Sequence, residues 1–207
     1  MKKLLLVVLA LTLPVAVLAQ ETHCYGWENG ETVLGTYLDG YMYLANTDAH
    51  AYEGTRSLEI YETGGTGTPQ AYVAWITDLV EGDVVTATFQ TWDPTPTSNP
   101  SLRIWGHWTN AGGDITSYNS SASGSNTYSG SATEWVELGF TWTVDALHAG
   151  MGLVVEARPY NGTPWEGSTW MDHICVTRPA TATLHFPGYT VVGDRDSSWG
   201  QVKGLYR

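Results

Sequence analysis

The feature that most constrains this chain is a two-residue rhythm of apolar and polar side chains that recurs along its length. Thr55–Tyr61 (TRSLEIY), Pro69–Leu79 (PQAYVAWITDL), Val84–Trp92 (VVTATFQTW) and Ser101–Thr109 (SLRIWGHWT) carry it. So do Glu134–Val144 (EWVELGFTWTV), Met151–Tyr160 (MGLVVEARPY) and Ser168–Thr177 (STWMDHICVT). Alternation of this kind suits a β-strand, whose successive side chains point to opposite faces. Past the N-terminal segment nothing repeats convincingly at the helical period. Between the strands lie breaker signals. Leu79-Val80-Glu81-Gly82-Asp83 reads as a turn that makes its two neighbours a hairpin. Asp93–Pro100 holds three prolines in eight residues, which deny ladder donors, and reads as a loop. Asn119–Gly130, rich in Ser, Gly and Asn, reads as a long loop without core residues. Short strands separated by such signals predict an all-β chain, a two-sheet antiparallel β-sandwich of jelly-roll type.

Composition narrows the function. Ten Trp and twelve Tyr against 14% charged residues exclude a disordered chain. The 21 acidic and nine basic residues give a formal charge of −12 and argue against a nucleic-acid binder, which needs a basic footprint.

Residues 1–19 have the pattern of a signal peptide. Lys2 and Lys3 precede an apolar run, Leu4–Leu13, broken by Pro14, and Val17-Leu18-Ala19 offers a cleavage site before Gln20. An uncleaved anchor is the alternative, though the run is short for a membrane span. Cleavage removes two lysines, takes the charge to −14 and leaves Lys203 as the last lysine. No later segment is apolar enough to cross a bilayer. The expected location is therefore secreted, extracellular or periplasmic.

The sandwich is expected over residues 20–179. Ala180–Gly193 reads as linker or an extra strand. Asp194–Arg207 (DRDSSWGQVKGLYR) ends in a Trp/Leu/Tyr/Arg motif, either a frayed tail or a sorting peptide that docks a partner. Cys24 and Cys175 are the only cysteines. For an exported chain a disulfide is the default, adding on the order of 4 kcal/mol for so long a loop. Two buried free thiols are the alternative.

Five stretches, in order, resemble one family. Gly26-Trp27-Glu28-Asn29-Gly30 is similar to the F-E-x-G opening of jelly-roll carbohydrate-binding modules, especially families 4, 9 and 22. Ala51–Ile60 (AYEGTRSLEI) resembles their a-h-x-G-x-x-S-L-x-v strand. Leu79–Asp83 resembles their L-x-x-G hairpin, Trp135–Thr143 their W-x-x-L-x-x-x-F-T segment, and Trp170–Ile174 their closing f-y-l-D-D-v strand. The match spans roughly residues 24–178. Trp27 stands where the family has Phe, and His173 where it has a second Asp, so the resemblance supports the fold more firmly than a particular sugar.

The resemblance implies that the first and last strands of the module lie side by side. Glu28 with Asp172 and Cys24 with Cys175 then have index sums of 200 and 199, one antiparallel register within a one-residue bulge. That favours the disulfide. It also implies a structural calcium ion between Glu28 and Asp172, with carbonyls near Gly54–Ser57 completing an all-oxygen shell. The alternative is that both acids are solvated or bonded to backbone donors.

Alternation assigns faces to three strands. Val85, Ala87, Phe89, Leu102, Ile104, Leu153, Val155 and Ala157 form the apolar side. If the three strands share a sheet, its other face carries Gln90, Trp92, Arg103, Trp105, His107, Glu156, Arg158 and Tyr160. Aromatic rings stack on the apolar face of a sugar, and neighbouring amides, carboxylates and guanidinium groups bond its hydroxyls. These residues form the expected ligand-binding site. The alternative pairs Glu156 with Arg158 on the surface and packs Trp92 and Trp105 under loops. Tyr72, Trp108, Tyr118 and Trp165 are secondary candidates.

For catalysis a glycosidase needs two placed carboxylates, and only Glu156 joins this face. A lyase would draw on Tyr160, His107 and Arg103. The six histidines show no metal-ligand spacing, and no nucleophile-elbow, zincin or phosphate-loop motif is present. The favoured expectation is a secreted, non-catalytic binder of neutral polysaccharide or oligosaccharide. A surface-assembly sandwich and a polysaccharide lyase or hydrolase stand as alternatives.

Overall fold

The structure, a computed structural model, describes residues 19–63, 67–94, 101–130, 133–160 and 167–193. Thirteen strands appear among them. In the first half of the chain they are β1 (Gln20–Tyr25), β2 (Gly35–Tyr37), β3 (Met42–Thr47), β4 (Ser57–Glu62), β5 (Gln70–Thr77) and β6 (Val84–Trp92). The second half supplies β7 (Ser101–Trp108), β8 (Ser120–Gly124), β9 (Val136–Thr143), β10 (Leu153–Tyr160), β11 (Gly167–Pro179), β12 (Thr183–Phe186) and β13 (Tyr189–Val191). One 3-10 turn, Asp39–Tyr41, is the only helical element among the described residues.

The strands form two antiparallel sheets. The first runs β3-β4-β11-β6-β9, with β1 lying along the second half of β11. The second runs β13-β12-β5-β10-β7-β8, with β2 against the start of β5. Between them lies the core. Leu58, Ile60, Val85, Ala87, Phe89 and Met171 come from one side, and Ala71, Ile76, Leu102, Ile104, Leu153 and Val155 from the other, all fully buried. Burying a large aliphatic or aromatic side chain of this kind contributes about 1.5–3 kcal/mol relative to leaving it in water. Trp27 is fully buried in the same core, and its indole donates to the Thr32 carbonyl at 2.6 Å.

The predicted all-β sandwich is the fold observed, and the period-2 segments became strands. Two expectations are corrected, and the choice left open for Ala180–Gly193, linker or extra strand, falls to strand. The Leu79–Asp83 turn does not make a hairpin: β5 lies in the second sheet and β6 in the first. The turn carries the chain across the sandwich, with Leu79 buried and the Asp83 carboxylate accepting from the Val80 amide at 2.8 Å. Asn119–Gly130 is not all loop. Ser120–Gly124 is an edge strand on β7, and Ala122 packs against the core. An edge strand takes its stability from one ladder and needs no apolar alternation, and Gly124 is required there, because a Cβ would meet the Ile104 carbonyl at 2.4 Å. The sheet also runs on past Pro179. β12 pairs with β5 and buries Leu184 and Phe186, and β13 returns on it through Pro187-Gly188, with Gly188 at φ 70°.

Cys24 and Cys175 are directly opposed in the β1–β11 ladder and form a disulfide. All six β1–β11 pairs share their index sum of 199. Just before Cys175, β11 carries a bulge that begins after Asp172, where His173 is left-handed at φ 48°. The bulge resets the alternation, so that Met171 and Ile174 both face the core. The signal segment 1–18 and the terminal motif 194–207 lie outside the described residues.

Candidate functional site

The site stands on the outer face of the second sheet, where β5, β10 and β7 run side by side. Their registers set Trp105 opposite Glu156, Glu156 opposite Tyr72, and Arg103 opposite Arg158. His107 sits two ladder positions along from Trp105, opposite Val154. Five of the eight predicted residues, Arg103, Trp105, His107, Glu156 and Arg158, are thereby brought together. Tyr160 ends the same strand, paired with Ser101, and its side chain is outside the described set.

Gln90 and Trp92 are not part of this group. They lie on β6, in the other sheet, and they face away from the core there. Gln90 donates to Glu137 at 3.3 Å, and Trp92 packs at a tilt against Trp170 and edge-to-face with His50. Alternation tells which side of a strand a residue takes but not which sheet the strand joins, and the crossing turn before β6 decided that.

A cleft of about 550 Å³ opens on this face, lined by Tyr37, Gln70, Tyr72, Trp105, Thr116, Tyr118, Ser121 and Arg158, so that Trp105 and Arg158 are the two of the five that reach it. Two of these, Tyr72 and Tyr118, were secondary candidates. Tyr37 and Gln70 escaped sequence reading. Gln70 shares parity with Tyr72 on β5, which was a usable signal, whereas Tyr37 arrives on a three-residue strand with none. Tyr37 and Tyr118 are 54% and 62% exposed, so their rings are free to serve as rim platforms. Trp108, by contrast, belongs to the core, and Trp165 lies outside the described residues.

Under the rim is a buried polar floor. Glu156 is fully buried, and its two oxygens are taken by His107 Nδ1 and Arg158 Nε. The Gln70 amide, oriented to satisfy both neighbours, donates to Glu156 Oε1 and accepts from Arg158 Nη2, each at 3.3 Å. A buried carboxylate is costly unless its lone pairs are filled, and this network fills them. Arg103 and Arg158 face each other across the ladder, a repulsive arrangement on its own. The charge on Glu156 offsets it, and so does the Trp105 ring, whose centroid is 4.5 Å from one guanidinium carbon and 5.1 Å from the other. The Trp105 indole nitrogen donates to Ser121 Oγ at 3.0 Å, which fixes the ring. The Tyr72 and Tyr118 rings flank the His107 imidazole at 5.1 and 5.6 Å. Burial, reinforced by the charge of Glu156, pushes the Tyr72 hydroxyl up to about 12, so it is a neutral donor rather than a base.

The predicted metal pair lies elsewhere, at the loop before β4. Glu28 accepts from the Thr55 amide at 2.9 Å, the Thr55 hydroxyl at 2.8 Å and the Arg56 amide at 2.9 Å. Those donors hold its carboxyl below the usual range. Asp172 is fully buried and accepts from the amides of Tyr52, Glu53 and His173 at 2.8, 3.1 and 2.7 Å. Both acids thus meet hydrogens, whereas a calcium shell needs the loop's carbonyl oxygens. As arranged, the pair does not fit a cation. It ties the 52–56 loop to the first sheet.

Neither a protein-family model nor a curated protein matches the sequence. Solved structures do match in fold. The family 22 xylan-binding domain CBM22-1 of Paenibacillus barcinonensis Xyn10C is 20% identical, covers 79% of this chain and 98% of its own, and superposes with a TM-score of 0.52. The second such domain of that protein, CBM22-2, is 16% identical over 75% of this chain and 98% of its own, with a TM-score of 0.51. The fold is therefore that of the jelly-roll carbohydrate-binding modules which the sequence motifs resemble.

Proposed function

We propose that this chain is an exported, non-catalytic module that binds a neutral polysaccharide or oligosaccharide in the cleft over β5, β10 and β7. The observation that carries the reading is the division of labour in the cleft. Aromatic rings line its rim, and the Gln70 amide and Arg158 guanidinium that line it with them are already held in place by the buried Glu156 carboxylate. Rings take the apolar face of a sugar, and the preordered polar groups bond its hydroxyls without first having to be frozen in place. The chain's strongly acidic balance favours a neutral ligand.

The same geometry speaks against the lyase alternative. His107 is 1% exposed and bound to Glu156, so it cannot reach a substrate proton as a base. No acid lines the cleft beside it among the described residues, which leaves a hydrolase without its second carboxylate. Export is supported by the N-terminal pattern and by the disulfide, a bond that persists in oxidising compartments. Affinity electrophoresis against soluble neutral polysaccharides tests the proposal. Retardation on at least one of them is expected, with no new reducing ends and no unsaturated uronate released. Unretarded migration on every polysaccharide overturns it.

A further inference from the structure

The loop between β7 and β8, residues 109–119, divides the outer face of the second sheet. On one side Thr116 and Tyr118 line the cleft already described. On the other, Asn110, Gly112 and Gly113 line a separate cavity of about 310 Å³, closed by Trp75, Asp78, Val80, Met151 and Gly152. The two cavities share no lining residue.

We infer that this second cavity is an independent subsite for one or two residues of a neutral saccharide, held by Trp75 and Asn110. Three observations support it. First, the Trp75 indole N–H is buried and has no acceptor. Gly152 packs so tightly there that a Cβ would sit 2.3 Å from that nitrogen, yet its carbonyl is taken by the Thr109 amide at 2.8 Å. A buried donor without a partner marks a place where an acceptor belongs. A sugar hydroxyl that displaces the Gly152 packing supplies one.

Second, the Trp75 ring is held rigid. His185, directly opposite it in the ladder, stacks on it with centroids 4.9 Å apart and planes 28° apart. A fixed indole with a donor edge is a sugar-stacking element that loses little entropy on binding. Third, the side-chain amide of the exposed Asn110 makes no hydrogen bond to a described residue, so a donor and an acceptor stand together at the rim. Asn110 itself is fixed, since its carbonyl accepts from the Gly113 amide at 2.9 Å and its amide donates to Ser117 at 3.2 Å. An amide of this kind pairs with vicinal hydroxyls.

The lining also limits the ligand's chemistry. It holds no Lys, Arg or His, and its single carboxylate, Asp78, accepts from Thr183 at 2.9 Å. An anionic ligand would meet only that negative charge. A lone acid provides no metal cage. The volume is at the small end of ligand pockets, enough for one or two rings.

The choice of saccharide rests on the proposed glycan-binding function, but none of the cleft residues is used. The test is a set of ¹H–¹⁵N spectra of the full chain with xylose, xylotriose and xylohexaose, following the indole N–H signals of Trp75 and Trp105. Each signal is assigned by its loss in Trp75→Phe or Trp105→Phe. Both signals are expected to shift, with separate midpoints. Asn110→Ala, on the surface, should weaken the Trp75 midpoint by about fivefold and leave the Trp105 midpoint in place. A Trp75 signal that stays fixed while Trp105 shifts overturns the second subsite and leaves the cleft standing. A Trp75 signal that shifts while Trp105 stays fixed supports the subsite and refutes the cleft. A Trp75 midpoint unmoved by Asn110→Ala overturns the role assigned to that amide.

Discussion

Glu62 ends β4 in the wrong chemical company. Leu58 and Ile60, four and two residues earlier, point into the core and are fully buried, and Glu62 has the same parity and is 1% exposed. Neither of its oxygens has a hydrogen-bond partner among the described residues. Burial therefore pushes its carboxyl up from 4.5 to about 7. A folded-state value above the unfolded one means that folding favours the protonated acid. Stability is then fully present below about pH 4.5 and is lost as pH rises towards 7, by about 3 kcal/mol in all. Glu62→Gln keeps the shape and removes the ionisation. At pH 8 the variant should exceed the parent by up to about 3 kcal/mol, reduced by whatever the buried amide costs. At pH 4.5 the advantage should be gone. Guanidinium unfolding followed by Trp fluorescence at the two pH values measures this. In a domain of this size the difference corresponds to a melting shift of roughly 6–12 °C at pH 8. A gap between variant and parent that is the same at both pH values would refute the argument, because a packing effect does not titrate.

Other outcomes follow from the same structure. Trp105→Ala should weaken glycan binding at least about tenfold by calorimetry, as loss of an aromatic anchor does, whereas Gln90→Ala, on the opposite sheet, should leave it unchanged. Replacing Cys24 and Cys175 by Ala should cost about 4 kcal/mol in denaturant unfolding, with the far-ultraviolet spectrum preserved. EDTA should not move the melting temperature, because Glu28 and Asp172 are occupied by loop donors. A rise of several degrees on adding calcium would show that the loop turns its carbonyls inward instead.

Much of this architecture can be read from alternation, since one-sided burial forces it. Val84–Trp92 is a strand over the very span its pattern marks, and Arg103, Trp105, His107, Glu156 and Arg158 share the face that parity assigns them. What alternation cannot encode is partnership. β6 has the same rhythm whichever sheet it joins, so alternation groups Gln90 and Trp92 with strands that β6 does not pair with. β8 shows no apolar alternation in sequence, because an edge strand of serines is held mainly by its ladder to β7 and by polar contacts such as that of Ser121 with Trp105, with Ala122 alone turned to the core. Tyr37 reaches the cleft on three residues, too few to show a period. The burial of Glu156 was equally hidden. Parity makes it outward-facing, and the His107, Arg158 and Gln70 side chains gathered on its oxygens convert that outward face into a floor.

The covalent bond between β1 and β11 also has a mechanical meaning. A pull on the chain at Gln20 meets the Cys24–Cys175 bond after four residues. Tension then passes directly to β11, which is laddered to β4 and β6 in the interior of its sheet. Peeling β1 away one hydrogen bond at a time is replaced by shearing an interior strand against two neighbours at once. A load applied at the N-terminal end of the sandwich therefore reaches an interior strand rather than an edge strand.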